Sequence, residues 1–214
     1  MVSRASGLGG GPRPRLRARA RAHFDRARDL AYVRDEDEWL AAHASAALAP
    51  LTALLGGPER ALALAEETIA AARHFAIPSV LVMALARAGE TAILTGMHGR
   101  AAEAVNELLG LLRDQATRPW VADALEMAAL VLEAGDDVEA ATAALQSAEA
   151  VRLASGGSAG GTRALADAVH HAHDRLLGAG PAPAGAGHSN STLSVDVAIS
   201  RAVAGLEALS GARS

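Results

Sequence analysis

Two stretches of this chain carry residue types in spacings that suit chemistry: the run Gly156-Gly157-Ser158-Ala159-Gly160, and the cluster His170, His171, His173 and Asp174. The first fits the G-x-S-x-G turn that exposes a nucleophilic serine in α/β-hydrolases. That turn works because a strand feeds it and a sheet lies beneath it, lifting the hydroxyl clear. Here the flanks read as helices, one ending near Arg152 or Leu153 and one beginning near Thr162, so the glycines predict an inter-helix loop. In the second stretch, a helix places His170 on one face with His173 and Asp174, where two imidazoles and a carboxylate would meet a metal ion. No H-E-x-x-H pattern and no further ligand accompanies them, so solvated histidines are expected. The carboxylate pairs Glu66/Glu67 and Asp136/Asp137 are adjacent and therefore diverge, whereas acid–base work needs convergence. The expectation is a chain with no catalytic, cofactor-binding or metal-binding residues, and a serine hydrolase built on Ser158 is the disfavoured alternative.

Composition narrows the elements that can surround these residues. Half of the 214 residues are hydrophobic but only 2% are aromatic, and alanine dominates the apolar share. A core without large rings must let backbones approach closely across small side chains, which favours helix on helix. All twenty basic residues are arginine, which removes Walker, Schiff-base and kinase lysines. The absence of cysteine removes disulfides, thiol catalysis and cysteine-ligated zinc, and fits a reducing, cytoplasmic setting. No apolar run approaches the roughly 18 residues that cross a bilayer, so no membrane contact is expected.

The N-terminal residues 1–14 are rich in Gly, Pro and Arg and predict disorder. Arg13, Arg15, Arg17, Arg19, Arg21, Arg26 and Arg28 follow, a basic stretch able to hold phosphates. Asp35, Glu36, Asp37 and Glu38 balance it, the net charge is −4, and no aromatic platform accompanies the arginines. Phosphate contacts by Arg15, Arg17, Arg19 and Arg21 are thus the alternative reading, and a solvated helix face the expected one.

The most informative pattern is internal repetition. Gly56, Gly96 and Gly135 each close an apolar helical run, at steps of 40 and 39 residues. In that register small residues fall at Ala49, Gly89 and Ala128, alanines at Ala61, Ala101 and Ala140, and arginines at Arg73, Arg113 and Arg152. Leu62, Ala65, Ile69 and Ala72 form one helical face, repeated as Ala102, Val105, Leu109 and Leu112, then as Ala141, Ala144, Ala148 and Val151. The preceding runs, 38–55, 79–95 and 119–134, also read as helices, with glycine at each end and Pro78 and Pro119 at helix starts. Each unit is a helical hairpin whose small residue faces the alanine twelve positions later. The arginines suit the negative end of the helix dipole. A half-unit over Arg17–Arg34 is expected to pack Phe24 and Leu30 against the first hairpin.

The predicted fold is all-α, antiparallel helical hairpins stacked as a solenoid. Repeats occupy 15–155, a glycine-rich loop and capping helix 156–178, a linker 179–191, and a terminal helix 192–210 that docks back or binds elsewhere. The pattern resembles tetratricopeptide repeats, in longer units than the usual 34 residues. Within that class, "RPWVADALEMAALVLEAGDDVEAATAALQSAEAVR" resembles the C-terminal repeats of large ATP-binding transcriptional regulators of high-GC bacteria, the LuxR-type and SARP (AfsR-like, BTAD) proteins. Trp120, Gly135, Ala140, Ala141, Glu149 and Arg152 carry that likeness. The resemblance implies the sensor or scaffold part of such a regulator, without its NTPase and DNA-binding domains. Its partners would be a protein or peptide, including the regulator's own NTPase domain, held in a groove lined by the first helices, where the repeat offsets place His43, Met83 and Glu90. No cofactor is implied, and direct binding of nucleic acid is not expected.

Overall fold

The computed structural model describes residues 38–113, 118–155, 161–178 and 195–211, with Arg19, Ala22, His23, Asp25 and Arg26. Eight helices account for nearly all of the described residues, and none of these residues lies in a strand. They are α1 (Glu38–Leu54), α2 (Pro58–Phe75), α3 (Pro78–Leu94), α4 (His98–Arg113), α5 (Arg118–Ala134), α6 (Val138–Ser155), α7 (Arg163–Leu177) and α8 (Val195–Gly211). Among the described residues no helix is long and apolar enough to cross a membrane.

The hairpins form where the sequence places their turns. After α1 and α3 the chain reverses on Gly56 (φ +86°) and Gly96 (φ +73°), in the left-handed region that costs glycine little. The closing bonds correspond: Gly57 N–H donates to the Thr52 carbonyl at 3.1 Å, Met97 to Ala92 at 2.8 Å, and Asp137 to Leu132 at 3.0 Å. In the third turn, however, the positive φ (+63°) belongs to Asp136 and not to Gly135. The structural step is therefore forty residues at both turns, and helix starts agree, at 58, 98 and 138. The 39-residue second step is corrected accordingly: Gly135 matches the turn glycines in type but stands one place before them. A Cβ there would press on the end of the Leu209 side chain, which packs over Gly135 from α8.

In the forty-residue register the buried template becomes regular. Ala61, Ala101 and Ala141 are each wholly buried; Ala65, Val105 and Leu145 follow, then Thr68, Leu108 and Ala148. On the first helices Ala49, Gly89 and Ala129 coincide, and Ala128, one place earlier, is buried as well. A methyl at Gly89 would stand 3.0 Å from Val105 Cγ2, so α3 and α4 approach as closely as a missing side chain permits.

Pairs α1/α2, α3/α4 and α5/α6 pack as hairpins, and first helix meets first helix from α1 to α3 and from α3 to α5. The main core lies under α3 to α6 and continues to α7 and α8. Helix α7 packs on α5 and α6 and reaches α3. Helix α8 packs on α4, α5 and α6, with Ile199 and Leu206 fully buried. Its first half reaches the end of α4, through Arg113 and Ser200, and its last turn meets the end of α5, through Leu209 and Gly135. It therefore runs opposite to α4 and α6.

Candidate functional site

Helices α2 and α4 run parallel with their backbones apart, because α3 lies between and below them. The gap is a cleft of about 410 Å³. Leu85, Ala88 and Ala92 of α3 form its floor; Leu62, Ala65 and Ile69 of α2 and Ala104 of α4 form its apolar walls. Ala65, Ala88, Ala92 and Ala104 leave room between the larger Leu62, Ile69 and Leu85. Such a volume falls within the range of ligand clefts.

Charges of both signs occupy the rim. Arg73 at the end of α2 donates to Glu107 of α4 at 2.7 Å, and Arg100 of α4 donates to Glu66 of α2. Both pairs join residues 34 apart and cross the mouth. They are solvent-exposed, so each contributes at most about 1 kcal/mol and weakens with salt.

The three register arginines do different work. Arg73 spans the cleft, and Arg113 donates to Ser200 Oγ of α8 at 3.4 Å. Arg152 stands one place before the forty-residue register and turns back to α5, where Nη2 lies 2.9 Å from Asp123 and 2.7 Å from Glu126. Burial pushes the Glu126 carboxyl above its usual range, with the Arg152 hydrogen bond and charge opposing. Burial also acts to lower Arg152, but its hydrogen bonds to Glu126 and Asp123 outweigh it, and the guanidinium is held above its usual range. The two partners shift in ways that pull against each other because the carboxylate is the more deeply enclosed. The arginine stays cationic throughout, while the Glu126 carboxyl holds its proton more readily than an ordinary glutamate.

Of the groove residues expected from the sequence, His43 on α1 is exposed. Met83 and Glu90 on α3 are buried, Glu90 completely. The Glu90 carboxylate accepts from Arg87 Nη1 and from the Thr162 backbone N–H, each at 2.7 Å. It thereby ties α3 to the residue that caps α7, across 72 positions of sequence. Glu90 thus joins elements, and its side chain does not face solvent. No local signal in the sequence marks this, because the contact is set by where α7 begins.

Among the possible phosphate contacts, Arg19 is helical and exposed, while Arg15, Arg17 and Arg21 lie outside the described residues, as do Phe24, Leu30 and Ser158. His170 and His171 are exposed on α7, and His170 Nε2 stands 3.7 Å from Asp174 Oδ2. The described residues include no group of three or more metal-ligating side chains placed to hold an ion. The cleft's rim, in contrast, was missed: Glu66, Arg73, Arg100 and Glu107 are remote in sequence, and only the 34-residue spacing shared by the two opposite-charge pairs signals it. Compared with known proteins, the chain matches no family model, no curated protein and no solved structure.

Proposed function

We propose that this chain is a binding scaffold: a tetratricopeptide-like stack of helical hairpins that holds a protein or peptide segment in a cleft between units. The observation that carries this reading is the α2/α4 cleft, with its apolar floor and walls, and a rim crossed by two ion pairs. A site of this kind gains affinity from apolar burial and orientation from the rim, as interaction grooves do. The face of the first helices is the weaker candidate, since Met83 and Glu90 are buried there. The likeness of residues 118–152 to the repeats of ATP-binding transcriptional regulators supports a sensor or scaffold role in such a protein, with an NTPase domain or its peptide as the natural partner.

Panning a displayed peptide library against the purified chain tests the reading. Enriched peptides should lose binding to Ala70→Trp, which fills the cleft from an exposed position on α2. Enrichment indifferent to that substitution would overturn the choice of site.

A further inference from the structure

The repeat supplies a second cleft of the same construction, between α4 and α6 over α5, and it is occupied. Helix α8 lies in it. Forty residues on from the floor residues Leu85, Ala88 and Ala92 stand Leu125, Ala128 and Leu132, all buried. A Cβ on Gly205 of α8 would fall 2.7 Å from Leu132 Cδ2 and 3.6 Å from Ala140 Cβ, so the helix backbone comes down directly onto these positions. Ala140 is the counterpart of Arg100.

The rims differ in one respect. Where the first cleft has Glu66, Arg100, Glu103 and Glu107, the second has Asn106, Ala140, Ala143 and Ser147. Only the arginine persists, as Arg73 and Arg113, and with no glutamate opposite it Arg113 turns to Ser200 of α8. Neither ion pair can form across the second cleft. The apolar stripe Ala198, Ile199, Ala202, Val203 and Leu206 fills it instead.

We infer that the α2/α4 cleft receives an amphipathic helix from a partner, with the small and branched apolar face of α8, and that the Arg73–Glu107 and Arg100–Glu66 pairs are latches that helix must open. This rests on the scaffold reading and adds to it the partner's chemistry and a gate. The occupant is assigned from α8 itself, which shows what the same walls accept once the rim charges are gone. Opening two exposed ion pairs costs little, so the gate tunes affinity without sealing the site.

The test uses the full chain, its own α8 in place, and a fluorescent synthetic peptide of residues 192–211 as probe. The variant Glu66→Asn/Arg100→Ala/Glu103→Ala/Glu107→Ser writes the second cleft's rim onto the first. It should bind the peptide about tenfold more tightly than the native chain at low salt, with the gap narrowing as salt screens the native latches. Adding Ala70→Trp to the variant should abolish binding, with the helical circular dichroism unchanged. Equal binding by native chain and variant would overturn the latch. Binding that survives Ala70→Trp would place the peptide in the second cleft, in exchange with α8, and overturn the site. Self-association of the variant without peptide would overturn the partner in favour of a second copy. No binding by either protein would overturn the inference, while display-selected peptides sensitive to Ala70→Trp would leave the scaffold reading standing.

Discussion

Replacing Gly89 by leucine measures how much the stack depends on close approach. The first added carbon would already stand 3.0 Å from Val105 Cγ2 and 3.5 Å from Met127 Sδ. Both neighbours are buried, Val105 at 0% exposure and Met127 at 2%, so neither can swing into solvent. Overpacking of this kind costs about 3 kcal/mol, the upper end of its usual range, because three further carbons must find room beyond that first contact. Leucine's better helix propensity returns about 0.8 kcal/mol. The net loss is about 2 kcal/mol, a fall of roughly 4–8 °C in Tm for a chain of this length. Gly110 on α4 is the internal control, since it is exposed and a Cβ there meets nothing within 4 Å. Gly110→Ala should gain about 1 kcal/mol from propensity alone. Urea titrations followed by far-ultraviolet circular dichroism read both. A Gly89→Leu midpoint at or above that of the native chain would show that the glycine serves no packing purpose.

Glu90→Ala removes the acceptor of the Arg87 and Thr162 hydrogen bonds from a fully buried site and should cost about 2–4 kcal/mol, with faster hydrogen exchange in the first turn of α7; unchanged exchange there would separate α7 from Glu90. Ala76 caps α2 at φ +53°, so Ala76→Gly should stabilise by about 0.5–1 kcal/mol in the same titration, and a loss would contradict the left-handed cap. Because the Glu126 pKa is raised in the folded chain, the native state holds its proton more tightly than the unfolded one, and its contribution to stability falls as pH rises through 4.5 and above. The stability difference between native chain and Glu126→Gln should therefore move against the native chain over that window, and a constant difference in urea midpoints would show that burial does not govern the group.

Helix periodicity and turn glycines made the three hairpins legible, and the first helices run within a residue of their expected bounds. The same composition obscured the register. In so alanine-rich a chain Ala140 and Ala141 are equally good matches for Ala101, and Gly135 imitates a turn glycine although the left-handed residue is its neighbour Asp136. Only the backbone, with positive φ on Asp136, restores the forty-residue step. The cleft was less accessible still. Its walls are alanine, leucine and isoleucine like the rest of the core, and its rim is assembled from charges on two helices that the chain reaches one hairpin apart. The burial of Glu90 was not legible either, because nothing in the sequence shows that α7 begins against α3.

Clefts between units receive helices, and α8 in the second cleft is the working instance. Nuclear Overhauser contacts between the Leu209 methyls and Gly135 Hα, and between the Leu132 methyls and Gly205 Hα, test it most directly. Both are expected in the full chain, since a Cβ on Gly135 would press on Leu209 Cδ2 and one on Gly205 would lie 2.7 Å from Leu132 Cδ2. A helical α8 with neither contact would leave the second cleft without its occupant, and clefts between units would then not be helix sites.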